Sequence, residues 1–229
     1  MTIGSNQPYL FPYIGYWQLI NLSDIYVISD SMQYIKKGYI NRNNILIDGT
    51  KHMFTLEAIG VKENTLINEV KVGNNRKKLA KSIFHAYKKA PYFEEVYPLI
   101  EKIILNPESN MAQFVGNSIQ EISKYLDMDT KFIYLSDLQG KTTLRAQART
   151  IDICERLDAR HYINAVGGKE LYCKDAFIEK DMKLNFLKTN ELEYKQFDNE
   201  FVSHLSILDV LMFNSKNQIQ EMLQAYILE

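Results

Sequence analysis

The stretch TIGSNQPYLFPYIGYWQLINLSDIYVIS, residues 2–29, decides the fold. Thr2 to Ser5 reads as a short strand, Gln7 to Pro12 as a proline-interrupted turn, Tyr13 to Leu22 as a helix, and Asp24 to Ser29 as a second strand. Strand, loop, helix and strand in that order make a right-handed βαβ unit with parallel strands, whose loops after the strand ends usually hold ligands. Residues 1–23 carry no charged side chain, yet Pro8, Pro12, Asn6, Gln7, Gln18 and Asn21 interrupt them. A secretory signal or a membrane anchor needs an unbroken apolar centre, so the segment is expected to belong to the folded domain, with no transmembrane segment.

Outward from this unit, Ser29 to Asn44 is a polar loop. Asn44 to Ile47 and Lys51 to Leu56 flank Asp48-Gly49 and read as a β-hairpin, because Asp-Gly tolerates the positive φ of a type I′ turn. Apolar residues at three- and four-residue spacing predict helices over Asn75 to Lys89, Tyr92 to Leu105 and Ser109 to Leu126, with Pro98 expected to kink or split the second. Alternation then resumes: a strand at Lys131 to Leu135, and a helix at Thr143 to Leu157 with Leu144, Ala148, Ile151, Cys154 and Leu157 inward. Strands at His161 to Asn164 and Lys183 to Lys188 follow, then helices near Leu205 to Phe213 and Gln218 to Leu228. The expected fold is α/β: a Rossmann-like, mainly parallel sheet with a hairpin near 44–56 and a helical insertion near 74–127, in a single domain spanning 1–229.

Composition agrees with an ordinary globular chain: 229 residues, 46% apolar and 24% charged. Twenty-seven Lys and Arg against 28 Asp and Glu leave a net charge of −1, which supplies no field for gripping DNA. Cys154 and Cys173 make no disulfide framework, and the four histidines show no metal-ligand spacing, so a cytoplasmic protein without a structural metal is expected.

Two polar constellations follow the first two strands. In Gln7 to Tyr16, the prolines fix the turn and Gly15 permits close approach at a helix start, where free N–H groups can meet a phosphate; Gln7, Tyr9, Tyr13 and Tyr16 are candidate binding residues. In the second, Asp30 is the candidate base, Gln33, Asn41 and Asn43 suit a hydroxyl-rich ligand, Tyr34 and Lys36 stand beside them, and Arg42 can clamp a phosphate or carboxylate. Gly167, Gly168 and Lys169 with Tyr172 form a third, weaker phosphate candidate, since no G-x-x-x-x-G-K-[ST] is present. Arg145 and Arg149 share one helix face, and a basic stripe of Lys77, Lys81, His85 and Lys88 or Lys89 reads as a solvated face. His204, Ser206 and Asp209 do not make a triad, because no G-x-S-x-G elbow exists and the last two suit helix-cap chemistry. Asp127-Met128-Asp129 has D-x-D spacing but stands at a helix end.

Gln7 to Tyr16 with Gln18-Leu19-Ile20, Asp30, Gln33-Tyr34, Asn41-Arg42-Asn43, Pro91-Tyr92-Phe93, Tyr162-Ile163-Asn164, Gly167-Gly168, Tyr172 and the Leu205 to Leu211 segment together resemble the WbqC-like protein family, essentially end to end. That family is associated with gene clusters for bacterial O-antigen and other surface polysaccharides. The resemblance implies modification of an activated sugar: a transferase or ligase adding a small acyl or aminoacyl group, such as glycyl, to the amine of a nucleotide-linked amino sugar. ATP or an activated acyl or aminoacyl donor, charged tRNA among them, is the implied co-substrate. A non-catalytic nucleotide-sugar-binding partner of a polysaccharide assembly complex, or a glycosyltransferase, is the alternative. The family often carries a second acid where Ser31 stands, Trp at Tyr39 and Gly at Ser215, so two adjacent carboxylates are not implied here. Tyr13-Ile14-Gly15-Tyr16 also stands where nucleotidyltransferases and class I aminoacyl-tRNA synthetases carry H-x-G-H. Tyrosine, with an ordinary pKa of about 10, adds no positive charge there at neutral pH, leaving that task to Arg42, Lys36 or Lys169.

Overall fold

The computed structural model describes residues 1–138, 144, 146–198 and 200–229. Arg145 and the expected helix start at Thr143 lie outside them. Strand β1 (Thr2–Asn6) leads through the proline-braced loop into helix α1 (Ile14–Asn21) and strand β2 (Ile25–Ile28). The chain then forms β3 (Arg42–Ile47), β4 (Thr50–Thr55), the short pair β5 (Ala58–Ile59) and β6 (Lys71–Val72), and helices α2 (Arg76–Tyr87), α3 (Phe93–Leu105) and α4 (Met111–Tyr125). It returns as β7 (Lys131–Tyr134), α5 (Ala146–Arg156), β8 (His161–Ala165), α6 (Lys174–Ile178) and β9 (Lys183–Thr189). Helices α7 (Ile207–Phe213) and α8 (Lys216–Leu223) and strand β10 (Tyr226–Leu228) complete it.

The main sheet runs β10-β9-β8-β1-β2-β7, with five parallel strands and β10 antiparallel on β9. Counted along the chain, the parallel strands lie in the order 3-2-1-4-5, the Rossmann arrangement. Successive connections depart in opposite directions from β1 and β8, so the topological switch point falls between these neighbours. β2 shows why the sheet needs cover on both sides: all four of its residues are buried. Tyr26 and Ile28 join the core shared with α1 and the helical insertion, whereas Ile25 and Val27 join the core under α5 and α6. The alternation is the two-residue period of a strand.

The hairpin forms as Asp48-Gly49 dictates: Asp48 has φ 47° and Gly49 φ 72°, both in the left-handed region that a type I′ turn requires. The structure corrects three other readings. Pro98 does not split its helix; it lies exposed on α3, and the residue whose carbonyl loses its helical partner, Glu94, is exposed as well. The inner face of α5 centres on Thr150, Ile153 and Cys154, with Leu144 and Ala148 exposed. The final predicted helix stops at Leu223, because the buried Gln18 amide donates to the carbonyls of Met222 and Ala225 (2.8 and 3.0 Å) and releases Tyr226–Leu228 to pair with β9. On α2, Arg76 is held by the Asn106 and Glu108 carbonyls and over the Phe114 ring, while Lys77, Lys78, Lys81, Lys88 and Lys89 face outward.

Candidate functional site

The loop after β1 is shaped by hydrogen bonds that converge on its backbone. Asn43 on β3 donates through Nδ2 to the carbonyls of Phe11 (2.9 Å) and Leu10 (3.3 Å), and the Leu10 N–H donates to the Ile40 carbonyl at 3.1 Å. The Pro12 carbonyl accepts from the Trp17 indole at 3.0 Å and from the Ile207 N–H at 2.9 Å. These contacts hold Phe11 at φ 47°, an uncommon conformation for a bulky residue, and they persist because hairpin, α1 and α7 all contribute. The Tyr16 hydroxyl closes the loop onto the Gln7 carbonyl at 2.8 Å.

A cavity of about 370 Å³ opens beside this loop, above the adjoining strand ends Asn6 of β1 and Ala165 of β8. It therefore occupies the switch point, where an open α/β sheet leaves a crevice. Tyr9, Tyr13, Tyr16 and Tyr39 wall it, with Asn6, Asn43 and His204 supplying amide and imidazole groups. Tyr9 stands 5.9 Å from Tyr16 and 6.2 Å from Tyr39, ring centre to ring centre. No Asp, Glu, Lys or Arg lines it among the described residues. Burial pushes the Tyr9 phenol up, with Tyr39 adding to the effect, and pushes the Tyr13 and Tyr16 phenols up as well, so all three stay protonated at neutral pH. Gly15 is required by packing: a Cβ there would stand 2.4 Å from Thr189 Oγ1 and 2.5 Å from the Tyr13 ring. What approaches this glycine is protein.

Of the residues expected from sequence to form the site, Tyr9, Tyr13, Gly15, Tyr16 and Asn43 meet at this cavity. Gln7 lies behind its wall, its side-chain carbonyl 3.4 Å from the Tyr9 hydroxyl. Asp30 does not line it. Only 1% exposed, Asp30 accepts from the Ser136 N–H (2.9 Å) and hydroxyl (2.6 Å) and, more weakly, from Asn68 Nδ2 (3.4 Å), so it ties the end of β2 to the chain after β7. Asn41 is buried between the Tyr34 hydroxyl (2.7 Å) and the Leu56 carbonyl (2.6 Å), and Arg42 donates to the Gly38 carbonyl at 2.9 Å. Gln33 and Lys36 are exposed, Gln33 reaching the Asn64 side chain at 3.3 Å.

The third constellation also lies away from the pocket. Gly167 and Gly168 sit in a 3-10 turn after β8, Lys169 pairs with Glu229 at 2.7 Å, and Tyr172 packs with Tyr162 and Phe177 on the far side of the sheet. Arg149 donates to the Leu144 carbonyl and approaches the Met32 sulfur. Asp127 pairs with Lys216 at the close of α4, and Ser206 caps α7. Asp209 is fully buried, accepting from Tyr87, Tyr194 and Gln196 at 2.9, 2.9 and 2.6 Å. Sequence reasoning missed Asn6, Tyr39 and His204 as wall residues. His204 comes from the loop before α7, nearly two hundred residues from Tyr13, so spacing along the chain carries no trace of their meeting.

A family model of the WbqC-like protein family matches residues 7–221, which takes in every residue of the pocket except Asn6. The uncharacterized protein Rv1507c of Mycobacterium tuberculosis (strain ATCC 25618 / H37Rv) is 25% identical over 211 residues, covering 89% of each chain. No solved structure matches this chain.

Proposed function

Because the chain belongs to the WbqC-like protein family, we propose that it acts in bacterial surface-polysaccharide (O-antigen) biosynthesis, joining a small acyl or aminoacyl group to the amine of a nucleotide-linked amino sugar. The observation that carries this reading is the uncharged, tyrosine-walled cavity at the switch point. Tyrosine faces pack against the C–H faces of a sugar ring or against a base, and the Asn6 and Asn43 amides suit hydroxyl and N-acyl groups. Its volume of about 370 Å³ suits one such unit, leaving the phosphates outside the uncharged walls.

On this reading the sugar amine attacks the carbonyl carbon of an activated donor. The C–N bond forms as the bond to the leaving group breaks, and the leaving group takes that electron pair. The amine proton passes to His204, since the phenols around it are held protonated and imidazole is the wall group suited to accept it. Asp30, bonded to Ser136 outside the cavity wall, takes no part in this step. The chain works in the cytoplasm, where nucleotide sugars are consumed; among the described residues no helix is long and apolar enough to cross a membrane.

One observation favours the non-catalytic alternative: the carboxylate first read as the base is sealed away from the cavity. Incubation with UDP-linked amino sugars, glycine and ATP, with and without glycyl-tRNA, followed by mass spectrometry, separates the readings. A product heavier by one glycyl residue, lost in His204→Gln while sugar-nucleotide binding persists, supports the enzyme. Binding without any product supports the partner role, and neither binding nor product overturns both.

A further inference from the structure

Helix α2 carries charges that work against its own stability. Residues 71–93 hold seven Lys and Arg and no Asp or Glu, although the whole chain has a net charge of −1. Arg76, Lys77 and Lys78 fill the first turn, where the positive end of the helix dipole disfavours them, and no acidic residue stands there to offset it. Asn75, in the capping position, turns its side-chain oxygen to the Glu57 N–H (2.9 Å) and not to the helix. Lys77 and Lys81 stand four residues apart and Lys78 and Lys81 three apart, spacings at which like charges repel on a helix surface. Leu79, Ala80, Ile83 and Tyr87 face the core, so Lys77, Lys78, Lys81, Lys88 and Lys89, with His85, share the opposite, exposed face. None of these five lysines belongs to an ion pair among the described residues. Carboxylates on the adjoining segments are committed elsewhere: Glu57 accepts from the Asn74 N–H at 2.9 Å, and Glu95 and Glu101 of α3 accept from the Tyr125 and Tyr97 hydroxyls at 2.6 and 3.1 Å. A face that only met water would mix signs and gain from pairs along the helix; this one does neither.

We propose that this face docks the chain on an acidic phospholipid surface, with the lysine ammonium groups against the headgroup phosphates. Charge complementarity calls for an anionic occupant, and the chemistry of the face selects lipid over nucleic acid. It offers ammonium point charges, because the Arg76 guanidinium is already held by the Asn106 and Glu108 carbonyls. No aromatic face is free to stack on a base, since Phe84, at the margin, is edged by His85, Phe93 and Tyr97 with ring centres at 5.5, 5.3 and 5.4 Å. The helix of 12 residues spreads its charges along about 18 Å, which a lattice of headgroups meets without any matching of register. With Phe84 packed at the margin the face has no apolar anchor, so attachment is electrostatic and reversed by salt. It is independent of what the cavity binds.

The test is co-sedimentation of the full chain with phosphatidylcholine vesicles containing about one-third phosphatidylglycerol, against vesicles of phosphatidylcholine alone. Binding is expected to the acidic vesicles only, and to vanish when salt rises from about 0.1 M to about 0.5 M. Each lysine at an acidic surface contributes about fivefold in affinity, so Lys77→Gln with Lys81→Gln and Lys88→Gln is expected to weaken binding about a hundredfold. That variant removes repulsion without touching the buried face, so its thermal midpoint is expected to match or exceed the parent's. Lys131→Gln with Lys174→Gln and Lys183→Gln makes the same change of net charge at exposed positions outside α2, and is expected to leave binding within about twofold. Absence of binding to acidic vesicles, equal binding to both kinds of vesicle, or equal loss in the two variants overturns the proposal. Binding of transfer RNA through the same lysines without vesicle binding also overturns it, and gives the face to nucleic acid.

Discussion

Asp209 shows how one buried carboxylate organises the ground beneath the site. Its three donors come from α2 and from the chain between β9 and α7, so the group joins the insertion to the segment that leads into α7. Burial pushes its pKa up, against the smaller opposing effect of the three hydrogen bonds. A raised folded-state value means the fold prefers the protonated acid. The stability this preference contributes is fully present below the unfolded carboxylate range and is lost as pH rises through the raised value. Asp209→Asn turns one acceptor into a donor facing donors and is expected to cost about 1–3 kcal/mol. The cost should be larger at about pH 4 than at about pH 7, because the wild type gains from protonation and the variant does not. Urea unfolding of both proteins across that range measures it; a cost that grows with pH would contradict the assignment. The residue's chemistry was only half legible in the sequence. Its place beside Ser206 correctly suggested the start of a helix, but Tyr87 and Tyr194 reach it through the fold.

Among the elements, those governed by local rules were the readable ones. Asp48-Gly49 specified a hairpin turn by itself, and the apolar run Ile25–Ile28 lies inside the stretch read as the second strand. Elements decided by distant partners were not: α8 ends where Gln18 of α1 takes its carbonyls, so the apolar spacing that continues to Leu228 misleads. The same limit applies to the site. Tyr9, Tyr13 and Asn43 were identified from loops that follow strand ends, whereas Asp30 and Arg42, equally plausible in a polar loop, turn inward to Ser136 and Gly38. α3 offers a test of local cost. Pro98 removes one helical hydrogen bond on the solvent side, and Pro98→Ala restores it without disturbing the buried face formed by Phe93, Val96, Ile100 and Ile103. The substitution is expected to stabilise the protein by about 1 kcal/mol or more, raising the thermal midpoint by about 2–4 °C. A lowered midpoint would show that the ring itself contributes packing.

At the scale of the molecule, we read the chain as one domain, because one core runs from β2 and α1 through the hairpin into α2, α3, α4 and α7. The single tryptophan, Trp17, lies fully buried beside the pocket loop, while three of the longer helices belong to the insertion. Unfolding followed by tryptophan fluorescence and by far-ultraviolet circular dichroism therefore watches different regions. One domain requires the two curves to superimpose. An insertion that melted on its own would lose helical signal before the tryptophan responded.

The assembly of one cavity wall from distant parts of the chain has a thermodynamic corollary. Asn6, Tyr39 and His204 meet only once the protein is folded, so a guest that needs all three recognises the native state alone. Its binding then adds to the free energy of folding, and the unfolding midpoint must climb with the guest's concentration.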